Sequence, residues 1–359
     1  MELPVEKERR VRIGITHGDV NGIGYEIIIK TLQDQRLMEL YTIVVYGSSK
    51  VASYHRKVLN INEFNFNLIK KADQAHPRRP NLINIHDEEI KIDLGKSTPI
   101  AGELALLSLE AACEDLQNNL IDVIITAPIN KKNIQSPGFS FTGHTEYLAQ
   151  KFKAENCLML MINNVLRIGV VTGHIPLSKV KETITTEMIL GKIQVMNNTL
   201  MRDFGIVKPR IAVLALNPHA GDDGLLGDEE KTVIIPAIEK AYEKNILAFG
   251  PYPADGFFGA TGFRNFDGIL AMYHDQGMVP FKLMSFDEGV NYTAGLPVIR
   301  TSPAHGTAYD LAGKNEASPE AFRNALYMAG DIFIKRMEYD ELLANQLRSN
   351  GAQPDTNRS

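Results

Sequence analysis

Ile211-Ala-Val-Leu-Ala-Leu216 is a short apolar run that ends at Asn217-Pro218-His219. Two other runs share its form. Arg167-Ile-Gly-Val-Val-Thr172 leads to Gly173-His174, and Gly268-Ile-Leu-Ala-Met-Tyr273 leads directly to His274. Short apolar, β-branched stretches with turn residues beside them read as buried strands. In an open α/β sheet, ligands bind at the carboxyl ends of the strands. Three imidazoles delivered there are a candidate donor set for one divalent metal, with positions left open for a substrate. A single buried histidine is more often a hydrogen-bonded core residue, and no short zinc spacing joins these three. Pattern alone leaves the two readings level.

Further runs of the same kind are Val11–Thr16, Thr42–Tyr46, Val123–Thr126 and Cys157–Ile162. Amphipathic stretches such as Gly102–Leu116 and Glu229–Lys244 lie between strands, and this alternation predicts parallel sheet covered by helices. Ser318-Pro319-Glu320 starts a last helix, with Phe322, Leu326, Ala329, Phe333 and Met337 at helical spacing. The polar segment 351–359 is expected to fray.

The 359 residues suffice for two domains or one large one, and 44% of them are hydrophobic, enough for a sizeable core. No Pro/Gly/Ser linker separates two halves, so the domains are expected to interleave. A net charge of −5 gives no footprint for nucleic acid or an anionic membrane. Cys113 and Cys157 form no C-x-x-C motif, which points to a reducing compartment. No apolar run approaches the ~18 residues of a membrane span, and the charged start Met1–Arg10 has no signal-peptide core. A cytoplasmic protein is expected.

Five motifs carry candidate chemistry. Thr16-His-Gly-Asp-Val-Asn-Gly-Ile-Gly-Tyr-Glu26 joins the first strand to a helix over Ile27–Leu32. Its glycines follow neither the dinucleotide nor the Walker spacing, so it reads equally as a tight turn or an anion loop. In Phe141-Thr-Gly-His-Thr-Glu146, Thr142 or Thr145 would suit a helix cap, while His144 and Thr145 would suit an anionic substrate. Asn217–Glu230 crowds glycines and acids before a helix; the acids suit a helix start, or the loop borders a cofactor's ribose or adenine. Its candidate cofactor residues are Asn217, Gly221, Gly224 and Gly227, joined by Thr301. In Tyr273–Lys282, adjacent His274 and Asp275 are expected to diverge, and Lys282, after a bend at Pro280, is expected to have a partly buried stem. Arg300-Thr-Ser302 follows an apolar strand and offers a fork plus hydroxyls to a phosphate or carboxylate; a structural ion pair is the competing reading.

Taken together these motifs resemble the 4-hydroxythreonine-4-phosphate dehydrogenase family of vitamin B6 synthesis. The resemblance is carried by Gly18-Asp19…Gly22-Ile-Gly24…Glu26, Thr126-Ala-Pro-Ile-Asn-Lys131, Gly143-His-Thr-Glu146 and Asn217-Pro-His-Ala-Gly221. It continues through Tyr273-His-Asp-Gln-Gly277, Pro280-Phe-Lys282 and Arg300-Thr-Ser302…His305-Gly-Thr-Ala308…Asp310-Leu-Ala-Gly313, in family order over about residues 12 to 320. It implies an α/β fold like that of isocitrate and isopropylmalate dehydrogenases, with two interleaved α/β/α domains flanking a cleft. Residues 1–140 with 305–350 would form the outer domain, and 141–304 the metal, substrate and dimerisation domain.

The resemblance assigns a divalent metal to His174, His219 and His274 across a homodimer interface, with zinc expected and Mg, Mn or Co as alternatives. It assigns substrate contacts to His144, Thr145, Lys282, Asn291 and Arg300, and implies NAD or NADP bound without a Rossmann fingerprint. Val20, Asn21 and Tyr25 stand where the family usually has Pro, Ala and Pro, and Pro303-Ala304 before His305 is atypical. These departures leave room for a related substrate.

The expected reaction is oxidation of 4-phosphooxy-L-threonine at its secondary hydroxyl. The 3-keto acid formed would lose CO2 to give 3-amino-2-oxopropyl phosphate. Lys282, Asp255 and His144 are the catalytic candidates, Asp255 as an orienting carboxylate for a ligand or the substrate amine. The nearest alternative is a paralogue acting on threonate or erythronate 4-phosphate. A metal hydrolase or a phosphate acyltransferase is the alternative of a different class, since fold does not fix function.

Overall fold

The computed structural model describes residues 10–136, 139–285 and 287–345. Its strands are β1 (Val11–Thr16), β2 (Tyr41–Gly47), β3 (Asn67–Ile69), β4 (Asn81–Asn84), β5 (Val123–Thr126) and β6 (Leu158–Ile162). They continue as β7 (Arg167–Val170), β8 (Arg210–Leu214), β9 (Leu247–Tyr252), β10 (Gly268–Ala271), β11 (Val290–Ala294) and β12 (Arg300–Pro303). All join one sheet in the order β3-β4-β2-β1-β5-β12-β11-β6-β7-β10-β8-β9. Both flanks are parallel, and the three pairings β12·β11, β11·β6 and β6·β7 in the middle are antiparallel.

Helices cover both faces, which is why β2, buried at all seven positions, is apolar without alternation. The helix Glu320–Ala344 packs on β1, β5, β11 and β12 through Phe322, Ala325, Leu326, Ala329 and Ile332. Pro99–Gln117 covers β1, β2 and β5 from the other face, where Leu109, Ala112 and Cys113 meet Val44, Tyr46 and Ile124. Among the described residues no helix is long and apolar enough to cross a membrane.

The mixed α/β class is borne out, and the seven apolar runs are strands, displaced by at most two residues at either end. Five strands carry weaker signals. β3 is a three-residue edge strand, and β11 and β12 hold Asn291, Thr293, Arg300 and Ser302 on one polar face. Arg300 therefore opens a strand and does not follow one.

Three local expectations are corrected. Gly143 precedes the helix His144–Lys151 with no side-chain cap, so neither Thr142 nor Thr145 is spent as one. Pro280 lies inside the helix His274–Ser285, and Lys282 is exposed on its outer face. His274 and Asp275 do not diverge: Nδ1 and Oδ1 are 2.7 Å apart. The segment 351–359 lies outside the described residues.

Candidate functional site

The switch from parallel to antiparallel pairing leaves a cavity of about 400 Å³ at the ends of β6, β7, β11 and β12. Its walls include Lys131, His144, Thr145, Glu146, His174, Lys192, Asn291 and Arg300. Lys131 lies beyond the carboxyl end of β5, and His144–Glu146 form the first turn of the helix that follows. Met159, Val170 and Asn291 supply the floor from β6, β7 and β11, with Cys157 just before β6.

Arg300 is only 3% exposed, yet among the described residues no carboxylate forms an ion pair with it. Its Nε and Nη2 donate to Thr126 Oγ1 at 3.0 and 2.7 Å, and Nη1 donates to Thr293 Oγ1 at 3.2 Å. Nη2 also lies 3.2 Å from His144 Nδ1. Burial without a salt bridge depresses the guanidinium pKa to about 10, and Glu146 acts weakly in the opposite sense. A guanidinium has no lone pair to offer, so His144 Nδ1 must accept. That fixes the Nε2–H tautomer. His144 Nε2 is buried without a partner, and burial, Arg300 and Lys131 hold the imidazole neutral well below its ordinary range. Asn291 Oδ1 is a second buried atom without a partner. The site thus presents a held guanidinium, an imidazole N–H donor and the Thr145 hydroxyl, which lies 3.4 Å from Thr293 Oγ1. Such a set fits a phosphate or carboxylate.

β7, β10 and β8 are consecutive neighbours in the sheet and run parallel. His174, His274 and His219 follow their carboxyl ends, as the sequence pattern implied. His174 and His274 of one chain come together, with ring centroids 5.3 Å apart. Burial, Lys131 and His274 lower the His174 pKa and favour its neutral, ligating form. Asp275 engages His274 Nδ1 and leaves Nε2 for a ligand, an arrangement that orients metal-binding imidazoles.

His219 is exposed and does not close a three-donor group with the pair; among the described residues no cluster of three or more His, Cys, Asp or Glu is arranged for a metal. It stands at the head of five successive left-handed residues, His219–Asp223, with φ between 44° and 81°. Each non-glycine residue held that way costs roughly 1–2 kcal/mol. The turn is held by Glu230, which accepts from the backbone N–H groups of Leu216 and Asn217 at 2.8 Å each.

The cofactor candidates are largely occupied. Asn217 Nδ2 donates to Glu229 and Glu230 at 2.7 and 2.9 Å. Gly221, Gly224 and Gly227 all have positive φ, and a Cβ at Gly227 would strike the Asn217 amide at 2.5 Å. The acids Glu229 and Glu230 thus brace the loop, which is a different task from favouring a helix start. Thr301 is fully buried and donates to Ala325 O at 2.8 Å, facing the Glu320–Ala344 helix. Lys282 and Asp255 are exposed and lie outside the cavity lining.

Three lining residues escaped the reading of the sequence: Lys131, Glu146 and Lys192. Lys131 and Glu146 lie inside the motifs Thr126–Lys131 and Phe141–Glu146, but their local pattern assigns them no task. Lys192, in the helix Thr186–Arg202, carries no local signal, because a lysine on an amphipathic helix is usually a solvated one.

Comparison with known proteins identifies the family. The family model described as "Pyridoxal phosphate biosynthetic protein PdxA" matches residues 39–329. A Bacteroides thetaiotaomicron protein named 4-hydroxythreonine-4-phosphate dehydrogenase is 52% identical over 343 residues, covering 95% of this chain and 94% of the relative. An Oceanobacillus iheyensis relative, provisionally named a D-threonate 4-phosphate dehydrogenase, is 38% identical over 324 residues, 89% of this chain and 97% of its own. The crystal structure of 4-hydroxythreonine-4-phosphate dehydrogenase from Klebsiella pneumoniae superposes with a TM-score of 0.78 at 34% identity, covering 90% of this chain and 100% of that one. The chain belongs to the PdxA family of pyridoxal phosphate biosynthetic proteins and shares the fold of its dehydrogenases.

Proposed function

We propose that the protein oxidises 4-phosphooxy-L-threonine with NAD or NADP, and that the 3-keto acid formed then loses CO2. The observation that carries this reading is the charge of the cavity. Lys131, Lys192 and Arg300 face a single lining carboxylate, Glu146, and none of the four forms an ion pair among the described residues. The substrate's phosphate, carboxylate and ammonium carry complementary charge: close to −2 for the phosphate, one more negative and one positive.

Arg300, His144 and Thr145 hold the phosphate, with Lys131 contributing charge. Asn291 Oδ1 accepts from a substrate N–H or O–H. Glu146 receives the ammonium. Holding these groups supplies the orientation that hydride transfer needs.

The two facing imidazoles His174 and His274 fit two positions of a divalent metal, zinc, magnesium, manganese or cobalt; His219, exposed and apart from that pair on its own chain, would be the third donor across a homodimer interface. Such a metal, when bound, acidifies a coordinated hydroxyl. The side-chain donors of Asn217 and Thr301 are already engaged, by Glu229 and Glu230 and by Ala325 O, and are not free for a nicotinamide cofactor.

A homodimer accounts for Lys282 and Asp255, which are exposed on their own chain. Val279 and Leu283, beside Lys282, are 56% and 71% exposed, and Leu177 and Leu225 near the other histidines are 70% and 79% exposed. A second copy covering these residues would bring Lys282 to a cavity. The division into 1–140 with 305–350 and 141–304 belongs to the same proposal, supported by the change of pairing between β12 and β7. Free Cys113 and Cys157 fit a cytoplasmic setting.

Threonate 4-phosphate is the second reading, favoured by the Oceanobacillus relative. It carries a hydroxyl where phosphooxythreonine has its ammonium, so Glu146 favours the amino acid. Steady-state reduction of NAD and NADP with each substrate tests the choice. Faster turnover of phosphooxythreonine supports the proposal, and activity on the threonate ester alone overturns it.

A further inference from the structure

We propose that Lys192 forms a separate carboxylate-binding subsite, which takes the carboxylate of the substrate while Arg300, His144 and Thr145 take its phosphate. The inference rests on the phosphate reading above and adds a residue and a ligand group to it.

Lys192 belongs to the helix Thr186–Arg202, which packs on the face of β6 and β11 opposite Arg300. The side chain reaches the cavity round the amino end of β6, where Nζ donates to Cys157 O at 2.5 Å. An ammonium has three donors, and a carbonyl uses one. No carboxylate pairs with Lys192 among the described residues. Burial lowers its pKa, which marks a charge taken partly out of water without full compensation.

Lys192 is also set apart from the other cations. The charges acting on His144 are Arg300 and Lys131, and those acting on His174 are Lys131, His274 and Glu146. Lys192 acts instead on Cys157, as Glu146 does. Because Lys192 enters round the amino end of β6 from the opposite face of the sheet, a phosphate on Arg300 and His144 leaves it for a second anion on the same molecule. Planar two-oxygen recognition is not required of a lysine, whose compact charge suits one carboxylate oxygen.

The test uses the full chain and three probes: inorganic phosphate, glycerol 3-phosphate and 3-phosphoglycerate. The last two differ by a carboxylate in place of a hydroxymethyl group. Calorimetric titration should show wild type binding 3-phosphoglycerate on the order of 10- to 100-fold more tightly than glycerol 3-phosphate, the range of one charge-assisted hydrogen bond. Lys192→Gln should bring that ratio close to one, with affinities for inorganic phosphate and glycerol 3-phosphate unchanged. Lys192→Arg should retain most of the preference. A preference that survives in Lys192→Gln, or is absent in wild type, overturns the subsite. Equal weakening of all three probes makes Lys192 a structural residue and also overturns it. Wild type that binds none of the three overturns the phosphate reading itself, a different failure.

Discussion

Arg300 Nη2 lies 3.2 Å from His144 Nδ1, across 156 residues of sequence. The contact makes His144 a hydrogen-bond donor through Nε2 and removes it from the candidates for a general base. It also makes Arg300 difficult to replace, because the guanidinium meets Thr126, Thr293 and His144 at once.

Arg300→Lys keeps the charge and loses the fork. The kcat/KM for the phosphorylated substrate should fall on the order of 100-fold, chiefly through KM. Steady-state kinetics reads this directly, and a fall of less than threefold would contradict the assignment.

Glu146→Gln removes the carboxylate proposed to receive the ammonium. Discrimination between phosphooxythreonine and threonate 4-phosphate should shrink roughly tenfold, the size of one modest charged contact. Unaltered discrimination would place the amine elsewhere.

His174 and His274 face each other in one chain. His174→Ala should lower the metal content of the purified protein, read by elemental analysis, and abolish turnover. Chelation of wild type should stop turnover, and the divalent ion should restore it. Full activity in a metal-free preparation would exclude the site.

Acid should destabilise the fold in a defined window. His17 and His55 are buried on either side of the Tyr25 ring, at 5.2 and 5.1 Å, and burial lowers both pKa values from 6.5 to about 4. Both are neutral in the folded protein, while the unfolded chain takes up protons below 6.5. Their contribution is complete above that pH and is lost as pH falls toward 4. At pH 5 the loss is roughly 2 kcal/mol per histidine. Urea midpoints at pH 7 and pH 5 measure it. Equal midpoints would mean that water reaches the stack.

Asp203, Arg336 and Tyr292 form a buried network, with Arg336 Nε to Asp203 Oδ1 at 2.6 Å and Tyr292 Oη to Asp203 Oδ2 at 2.5 Å. Asp203→Ala leaves the guanidinium buried and unpaired and should cost about 3–5 kcal/mol. The network faces away from the cavity, so KM for substrate should not change. Thermal unfolding and kinetics together separate the two effects.

Strong strands such as β1, β5 and β8 were legible because a doubly covered strand is apolar at nearly every position. β11 and β12 were not, because their cavity-facing residues are the polar ones that make the site. His144, Thr145, Asn291 and Arg300 were legible from motif and family pattern. Lys192 was not, since nothing local distinguishes a cavity lysine from a solvated one. Thr301 was misplaced because alternation along β12 turns it toward Ala325 and turns Arg300 toward the cavity.

The sequence by itself determined the alternation of strand and helix, the family, and the three histidines at strand ends. Those features depend on local period, turn residues and motif order. Tertiary structure decided which side chains converge. Strand order inserts β12 between β5 and β11, which brings Arg300 to Thr126, Thr293 and His144. It also pairs His174 with His274 while His219 stays on its strained turn. Convergence is non-local: it follows from sheet order and the facing of each strand, and no window of sequence contains it.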